Sequence, residues 1–443
     1  MQRVLIANRG EIALRVQRAC RDLDLETVAV YSTADRTSAH VLGADQAICI
    51  GPPPAAQSYL RIDQILAAVE VTGADAVHPG YGFLSENAEF AERLMERGVT
   101  WIGPSPDTLR RMGDKAEARS TAVAAGVPIL PGSDGPLDSV EAAAQRANEI
   151  GYPVILKAAS GGGGKGMRVA TSRPELEKGF ALASKEAESS FADGRLYLEK
   201  YLVEPRHIEI QIFGDADGRI VDFGERECSL QRRHQKLVEE SPAPGLGEEL
   251  RREIAAAAVK LGEAVDYRGA GTVEFLLDED GSFSFMEMNT RIQVEHPVTE
   301  LVTGIDLVKL QLEVAAGGSV PEPPEPRGHA LECRINAENP RTFLPSPGRI
   351  GALRLPSGPG VRIDTHVYAD YAFPPFYDSL LGKFISYGRD RDESIARMSR
   401  ALREFEIEGL ETTAPLHARI LRDRHFRAGH LSTRFMERFL SHS

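Results

Sequence analysis

Cysteine is scarce in this 443-residue chain: Cys20, Cys49, Cys228 and Cys333 lie far apart, with no CxxC pair. That spacing offers neither a zinc site nor a disulfide framework and points to a reducing cytosol. Long apolar runs are missing too. Nowhere do about 18 apolar residues follow one another, and the opening MQRVLIANRGEIALRV carries charge early and no extended apolar core. Neither a membrane span nor a leader peptide is expected, and the protein reads as soluble and cytoplasmic. Basic residues are in the minority, 52 Lys and Arg against 65 Asp and Glu, for a formal charge of -13. Such a balance repels polyanions and argues against a nucleic-acid partner, so an anionic ligand has to be held by local cations.

Two phosphate-binding signatures are absent as well. The first hundred residues alternate strand-like runs (4–7, 27–32, then DAVHPG and VTWIG) with helical patterns such as EIALRVQRACRDL, which predicts βαβ units around a parallel sheet. A dinucleotide site would require GxGxxG after the first strand, but the turn is ANRGEIA, with Gly10 alone. The second missing signature is the P-loop. In SGGGGKGMRV, residues 160–169, the position five before Gly164 is Ala159, and Lys165 is followed by Gly166, so both ends of GxxxxGK[ST] fail.

What surrounds this loop suggests another use. VILKA precedes it and MRVA follows, both strand-like, so the glycines join a hairpin flap whose N–H groups can meet phosphate oxygens without a helix dipole. Lys157, inside the apolar strand before the flap, needs an anion to compensate its lost hydration. A surface loop with a snorkelling lysine is the plainer reading of the same residues. LYLEKYL, 196–202, embeds Glu199 and Lys200 among apolar residues, as a hinge beside an adenine would.

The segment GAGTVEFLLDEDGSFSFMEMNTR, 269–291, reads as a hairpin closed by a two-residue Asp280-Gly281 turn, which places Glu274 opposite Glu287. Opposed like charges destabilise a hairpin, whereas a hard divalent cation such as Mg²⁺ reverses the sign. Alternation adds Asn289 and then Arg291 to the same face. In RIQVEHPVTE, Arg291, Gln293 and Glu295 again alternate, so a strand here lines up a cation, a neutral donor and a carboxylate suited to bind an oxyanion and deprotonate it. ERECSLQRRHQK gathers Arg226, Arg232, Arg233, His234 and Lys236, an anion-binding wall or a solvated face. A helical stretch is expected from 105 to 126, a turn-rich linker after it, a helix over 174–190, mostly strands from there to 304, a surface connection at PEPPEPR (321–327), and a third unit with a helix near 392–405.

The flap, the preceding lysine and the Glu/Glu/Asn hairpin are components of the ATP-grasp fold. With IANRGEIALRV, HPGYGFLSEN, GPSPDTLRRMGDK, EKYL, PRHIEIQ, ERECSLQRRHQK, MEMNTRIQVEHPVTE, ECRINAE, FLPSPG and YDSLLGK, the whole chain resembles the biotin carboxylase family. The resemblance implies a mixed α/β and α+β protein: a Rossmann-like N-terminal domain (1–113), an ATP-grasp domain (114–318) with a flap subdomain at about 130–202, and a mixed α+β C-terminal domain (328–443). It implies ATP contacts from Lys115, Lys157, Gly161, Gly162, Gly163, Gly164, Lys165, Gly166, Met167, Glu199, Lys200, Leu202, His207, Gln231, His234 and Leu276. Glu274, Glu287 and Asn289 would hold Mg²⁺ or Mn²⁺, with two ions expected. Lys236, Arg291, Gln293, Val294 and Glu295 would bind bicarbonate, and Tyr81, Arg334 and Asp378 would serve biotin, with Glu295, Arg291, Arg334 and Lys236 catalytic. The implied partners are a biotin carboxyl carrier protein, since no Met-Lys-Met biotinylation site occurs in the chain, carboxyltransferase subunits and a second copy in a homodimer. An ATP-grasp ligase for another acceptor, and a non-catalytic relative, are the alternatives.

Overall fold

The computed structural model describes residues 1–133, 135–158, 167–191 and 193–441. Strands β1 (Arg3–Ile6), β2 (Glu26–Ser32), β3 (Gln46–Gly51), β4 (Ala76–His78) and β5 (Thr100–Trp101) form a parallel sheet in the order β3-β2-β1-β4-β5. Its central strands are continuous apolar runs because helices cover both faces. Val4 and Ile6 pack on Ile12, Ala13 and Val16 of helix α1 (Gly10–Asp22), while Leu5 and Ala7 pack on the far side with Ile65, Val69 and Phe90. Strand order reverses at β1 and β4. The loops that follow them flank a crevice at the strands' carboxyl ends, where open α/β sheets bind ligands.

Strands β6 (Val154–Ala158), β7 (Arg168–Ala170) and β8 (Leu196–Lys200) make a small antiparallel sheet, ordered β7-β6-β8, under helices Val140–Ile150 and Arg173–Phe191. The expected hairpin frame is present, with Val154 opposite Ala170. The loop it carries, Gly161 through Gly166 with Lys165, lies outside the described residues.

The main sheet has eight antiparallel strands. It begins with β9 (Arg206–Gly214), β10 (Ile220–Arg232), β11 (Gln235–Ser241), β12 (Gly269–Leu277), β13 (Phe283–Asn289) and β14 (His329–Asn336), ordered β13-β12-β9-β10-β11-β14, and ends with Leu380–Gly388 and Val361–Thr365. Residues 321–327 are the irregular connection expected, but β14 pairs with β11, Val238 opposite Cys333, so one sheet runs through the sequence boundary.

The region read as mostly strands to 304 also contains helices Glu248–Ala264 and His296–Thr303. In the first, Ile254, Ala257, Ala258 and Leu261 recur at helical spacing and pack on Ile210 and Val273 beneath the sheet. The 105–126 stretch is two helices, Pro106–Gly113 and Lys115–Ala124, because the Asp114 carboxylate turns back to accept from the Ala116 and Glu117 N–H groups at 2.9 Å. All four cysteines are free thiols, and among the described residues no helix is long and apolar enough to cross a membrane.

Candidate active site

The two hairpin carboxylates meet by a different route from the one expected. Residues 279–281 form a three-residue loop in which Gly281, at φ 86°, donates its N–H to the Asp278 carbonyl at 3.1 Å. That loop shifts the register by one, pairing Phe275 with Phe285 and Leu277 with Phe283, and alone it would turn Glu287 to the opposite face. A bulge at Met286 adds the compensating residue. Beyond it Glu274 stands opposite Glu287 and Thr272 opposite Asn289.

Glu274 is buried among donors: Asn289 Nδ2 and Gln293 Nε2 at 2.8 Å, Lys236 Nζ at 3.0 Å and His207 Nε2 at 2.9 Å. Burial would raise its pKa, but Lys236 and His207 outweigh that and hold the carboxyl well below the usual range; the same pairing, against burial, raises the His207 pKa. Glu287 lies open to solvent. Although solvent reaches the side chain, the protein around its carboxyl strips part of its hydration, and that loss and the charge of Glu274 raise its pKa, while His207 and Lys115 lower it.

Lys236 follows a tight turn in which Arg233 and His234 take left-handed conformations, φ 48° and 65°. Its ammonium reaches Glu295 Oε1 at 2.5 Å as well as Glu209 and Glu274. Glu295 Oε2 accepts from Arg334 Nη2 at 2.9 Å, and Arg334 Nε donates to Glu239 at 2.6 Å. Burial would raise the Glu295 pKa; Lys236, Arg334 and Arg226 instead hold it well below the usual range. His207, Glu209 and Glu274 bring ligand atoms within 4.8 Å of one another, as do Glu209, Cys228 and Glu295. Lys236 is shared among Glu209, Glu274 and Glu295, which also have Arg226, His207 and Arg334 beside them in turn, so the position left for a cation is the Glu287 side of the hairpin.

Residues 290–295 do not form the strand expected of RIQVE; they wind irregularly into helix His296–Thr303. Their side chains part accordingly. Gln293 bridges Glu274 and Arg226, Glu295 meets Lys236, and Arg291 donates to Glu86 Oε2 at 3.0 Å and Asn289 Oδ1 at 2.9 Å. The expected basic wall also disperses. Arg226 is wholly buried, and its guanidinium donates to Glu209, Gln211, Thr299, Thr272 and Gln293 at 2.5–3.0 Å. With every donor occupied, it braces the site and offers no N–H to a ligand. Arg232 stacks 3.7 Å over the Phe343 ring, and Arg233 and His234 are exposed.

On the nucleotide side, Lys157 is the half-buried residue of an otherwise buried strand, and its anion here is Glu199, which Arg119 also approaches at 3.4 Å. Lys200 donates to the Gly151 and Tyr152 carbonyls at 3.0 and 3.1 Å. Ile129 bridges to Phe285 of the hairpin and Gly132 to Glu199 of the small sheet, so one short segment joins the two. Met167, Leu202, Gln231 and Leu276 are half-buried and Lys115 is exposed, opening the second helix after Asp114. Leu276 pairs with His207 and Gln231 with Lys236.

At the other end, a cavity of about 650 Å³ opens in the crevice at β1 and β4. Tyr81, Arg334 and Asp378 share its wall with Lys236 and Val294, so residues from all three stretches of sequence converge there. Sequence reasoning missed three participants: Glu209, Glu239 and Glu86. The first was legible, since His207, Glu209 and Gln211 alternate with Ile208, Ile210 and Ile212, a polar face on a buried strand. Glu86 gave no such signal; it meets Thr290 and Arg291 across 204 and 205 residues.

A glycine-flap sheet facing a carboxylate hairpin defines an ATP-grasp protein, and residues 114–322 match the family of the carbamoyl-phosphate synthase L chain, ATP binding domain. Residues 1–109 match the biotin carboxylase N-terminal domain and 332–438 the biotin carboxylase C-terminal domain. The chain is 54% identical to the biotin carboxylase of Haemophilus influenzae over 444 residues, 99% of each chain. It therefore belongs to the biotin carboxylase family. Among solved structures, the Campylobacter jejuni biotin carboxylase beta-gamma-ATP complex is 47% identical with a TM-score of 0.95, covering 99% of this chain and 98% of that one. The biotin carboxylase domain dimer of Hydrogenobacter thermophilus 2-oxoglutarate carboxylase, with MgADP, ADP and bicarbonate, is 45% identical with a TM-score of 0.92, covering 99% and 97%.

Proposed function

We propose that the protein carboxylates N1 of biotin on a separate carrier protein, from bicarbonate and ATP, releasing ADP and phosphate. One observation carries this reading: Glu295 is shared between Lys236, which touches the hairpin carboxylate Glu274, and Arg334, which lines the cavity. A carboxylate in that position can serve two chemical steps in adjoining spaces.

Bicarbonate binds to Lys236, Arg291, Gln293 and the Val294 amide. Lys236 and Arg334 are both on Glu295 before substrate arrives, which makes it a weak base; an anion that draws Lys236 to itself raises its proton affinity. Glu295 takes the bicarbonate proton, the freed oxygen attacks the γ-phosphorus, and the bond to the β-phosphate oxygen breaks toward ADP. The resulting carboxyphosphate separates into CO₂ and phosphate, the phosphate accepts the biotin N1 proton, and N1 attacks CO₂ while Arg334 stabilises charge on the ureido oxygen. Tyr81 and Asp378 hold the biotin ring. Lys115, Lys157 and the flap glycines with Lys165 cradle the ATP phosphates; Met167, Glu199, Lys200, Leu202 and Leu276 enclose adenine, and His207, Gln231 and His234 add contacts near ribose and phosphate. The opposed Glu274 and Glu287 and the amide oxygen of Asn289 form a hard oxygen donor set, and the raised pKa of Glu287 marks charge not yet neutralised. Those residues would hold two Mg²⁺ or Mn²⁺ ions, which when bound neutralise phosphate charge.

Residues 1–113, 114–318 (with 130–202 as flap) and 328–443 act as three units in a cytoplasmic homodimer. Carboxyltransferase subunits of acetyl-CoA carboxylase or a related biotin-dependent carboxylase receive the carboxyl group, with fatty-acid synthesis the pathway we favour. The test measures ADP release from MgATP with bicarbonate and free biotin omitted in turn. Turnover should depend on bicarbonate and rise with biotin; indifference to both, with a response to an amine, overturns the reading.

A further inference from the structure

We infer that Lys383, with Glu11 as its counter-ion, is a positioning residue for the acceptor end of the site; this rests on the biotin-carboxylating reading above. Lys383 lies on the strand Leu380–Gly388, directly across from Arg334, and is completely buried. Its ammonium donates to the Val294 carbonyl at 2.9 Å and sits 3.2 Å from Glu11 Oε2. Asp364, 3.9 Å away, is already held by Arg362 at 2.7 and 3.0 Å. Glu11, in the first turn of α1, accepts with its other oxygen from the Tyr81 hydroxyl.

One ammonium thus ties together the backbone just before Glu295, the helix after β1 and, through Glu11, the loop after β4. The Val294 carbonyl belongs to the peptide that enters Glu295, so the bond from Lys383 fixes that peptide plane. The Glu11 link fixes the direction of the Tyr81 hydroxyl. Val294, Glu11 and Tyr81 all line the cavity, whereas Lys383 stands behind them. Buried ion pairs contribute little net stability compared with apolar replacements. What this pair supplies is alignment: the base and the acceptor wall keep one spacing because both hang from the same nitrogen.

The experiment compares the unsubstituted protein, Lys383→Met and Glu11→Gln in the ADP-release assay, with ATP, bicarbonate and free biotin each varied. Misplacement of reacting groups by about 1 Å costs about 100-fold in rate. Lys383→Met should therefore lower biotin-stimulated kcat by about that factor and raise KM for biotin by about 10-fold, leaving KM for ATP within about twofold. Glu11→Gln keeps an acceptor for Tyr81 and removes the counter-charge, so it should move the same parameters by less. If Lys383→Met does not fold, the double variant Lys383→Met/Glu11→Gln, which removes both charges of the pair, takes its place. Unchanged biotin parameters in the folded variant, or a uniform loss that includes KM for ATP, overturn the inference. No stimulation by biotin in the unsubstituted protein overturns the functional reading beneath it as well.

Discussion

The two ends of the site handle buried charge in opposite ways. At the bicarbonate end the charges around the base are closely partnered: Arg226 is saturated, Lys236 touches three carboxylates, and Glu295 is gripped by two cations. At the nucleotide end Glu287 faces Glu274 across the hairpin with its pKa raised, and Lys157 leans on Glu199. The first arrangement is preorganised around the base, and the arriving anion has only to draw Lys236 aside before proton transfer. The second has a negative surplus on one carboxylate that at neutral pH an added cation removes. A protein that must rebind its nucleotide each turnover gains from keeping that end incomplete, because the ligand then supplies the missing interaction.

If this contrast is right, substitutions at the two ends should fail differently. Glu295→Gln should give the largest effect on turnover, a loss of about 10²- to 10⁴-fold, the usual contribution of a positioned base. ATP affinity, followed by equilibrium binding, should stay within about twofold because Glu295 touches Lys236 and Arg334 and neither hairpin carboxylate. A matching loss of nucleotide affinity would break the division into two ends. Glu274→Gln strikes the junction between them. It leaves Lys236 and His207 facing a neutral amide in a buried place, and breaking such a pair costs about 3–5 kcal/mol. Urea denaturation without ligands should show that loss directly.

Much of this division was legible in the sequence, though not always for the right reason. The flap strands follow from VILKA and MRVA, and the parallel sheet from its alternating runs. The Glu274–Glu287 pairing was reached through a two-residue turn; the chain arrives there through a three-residue loop and a bulge at Met286 whose offsets cancel. Periodicity reports faces within a strand and is blind to an inserted residue. It was equally blind to Arg226, which reads as one of five neighbouring cations. Whether such a side chain reaches solvent or Gln211, Thr272, Thr299 and Gln293 is decided by strands and a helix that arrive from up to 73 residues away. The continuous eight-stranded sheet escaped notice for a related reason: PEPPEPR breaks the pattern along the chain, while β11 and β14 pair across it.

The smallest effect gives the sharpest test, because the two carboxyls of one hairpin should carry pH slopes of opposite sign. Glu274 has a folded pKa below its unfolded value, so its contribution is present above the ordinary carboxylate range and is lost as pH falls through it. Glu287 has a folded pKa above its unfolded value. The folded protein therefore binds the extra proton, and this group's contribution declines as pH rises from the ordinary carboxylate range through the raised value. Without metal, Glu287→Gln should leave stability at neutral pH unchanged or raise it by no more than about 1 kcal/mol, the scale of a solvent-screened charge pair, and should flatten the decline above the carboxylate range. Glu274→Gln should do the reverse, lowering stability at neutral pH and flattening the loss in acid. Addition of MgATP should then raise the Tm of Glu287→Gln less than that of the unsubstituted protein, since ligand binding to the folded state stabilises by RT ln(1 + L/Kd), with L the free ligand concentration. Equal destabilisation by both substitutions in metal-free protein would mean that Glu287 is as well compensated as Glu274, and that the nucleotide end is complete before its ligand arrives.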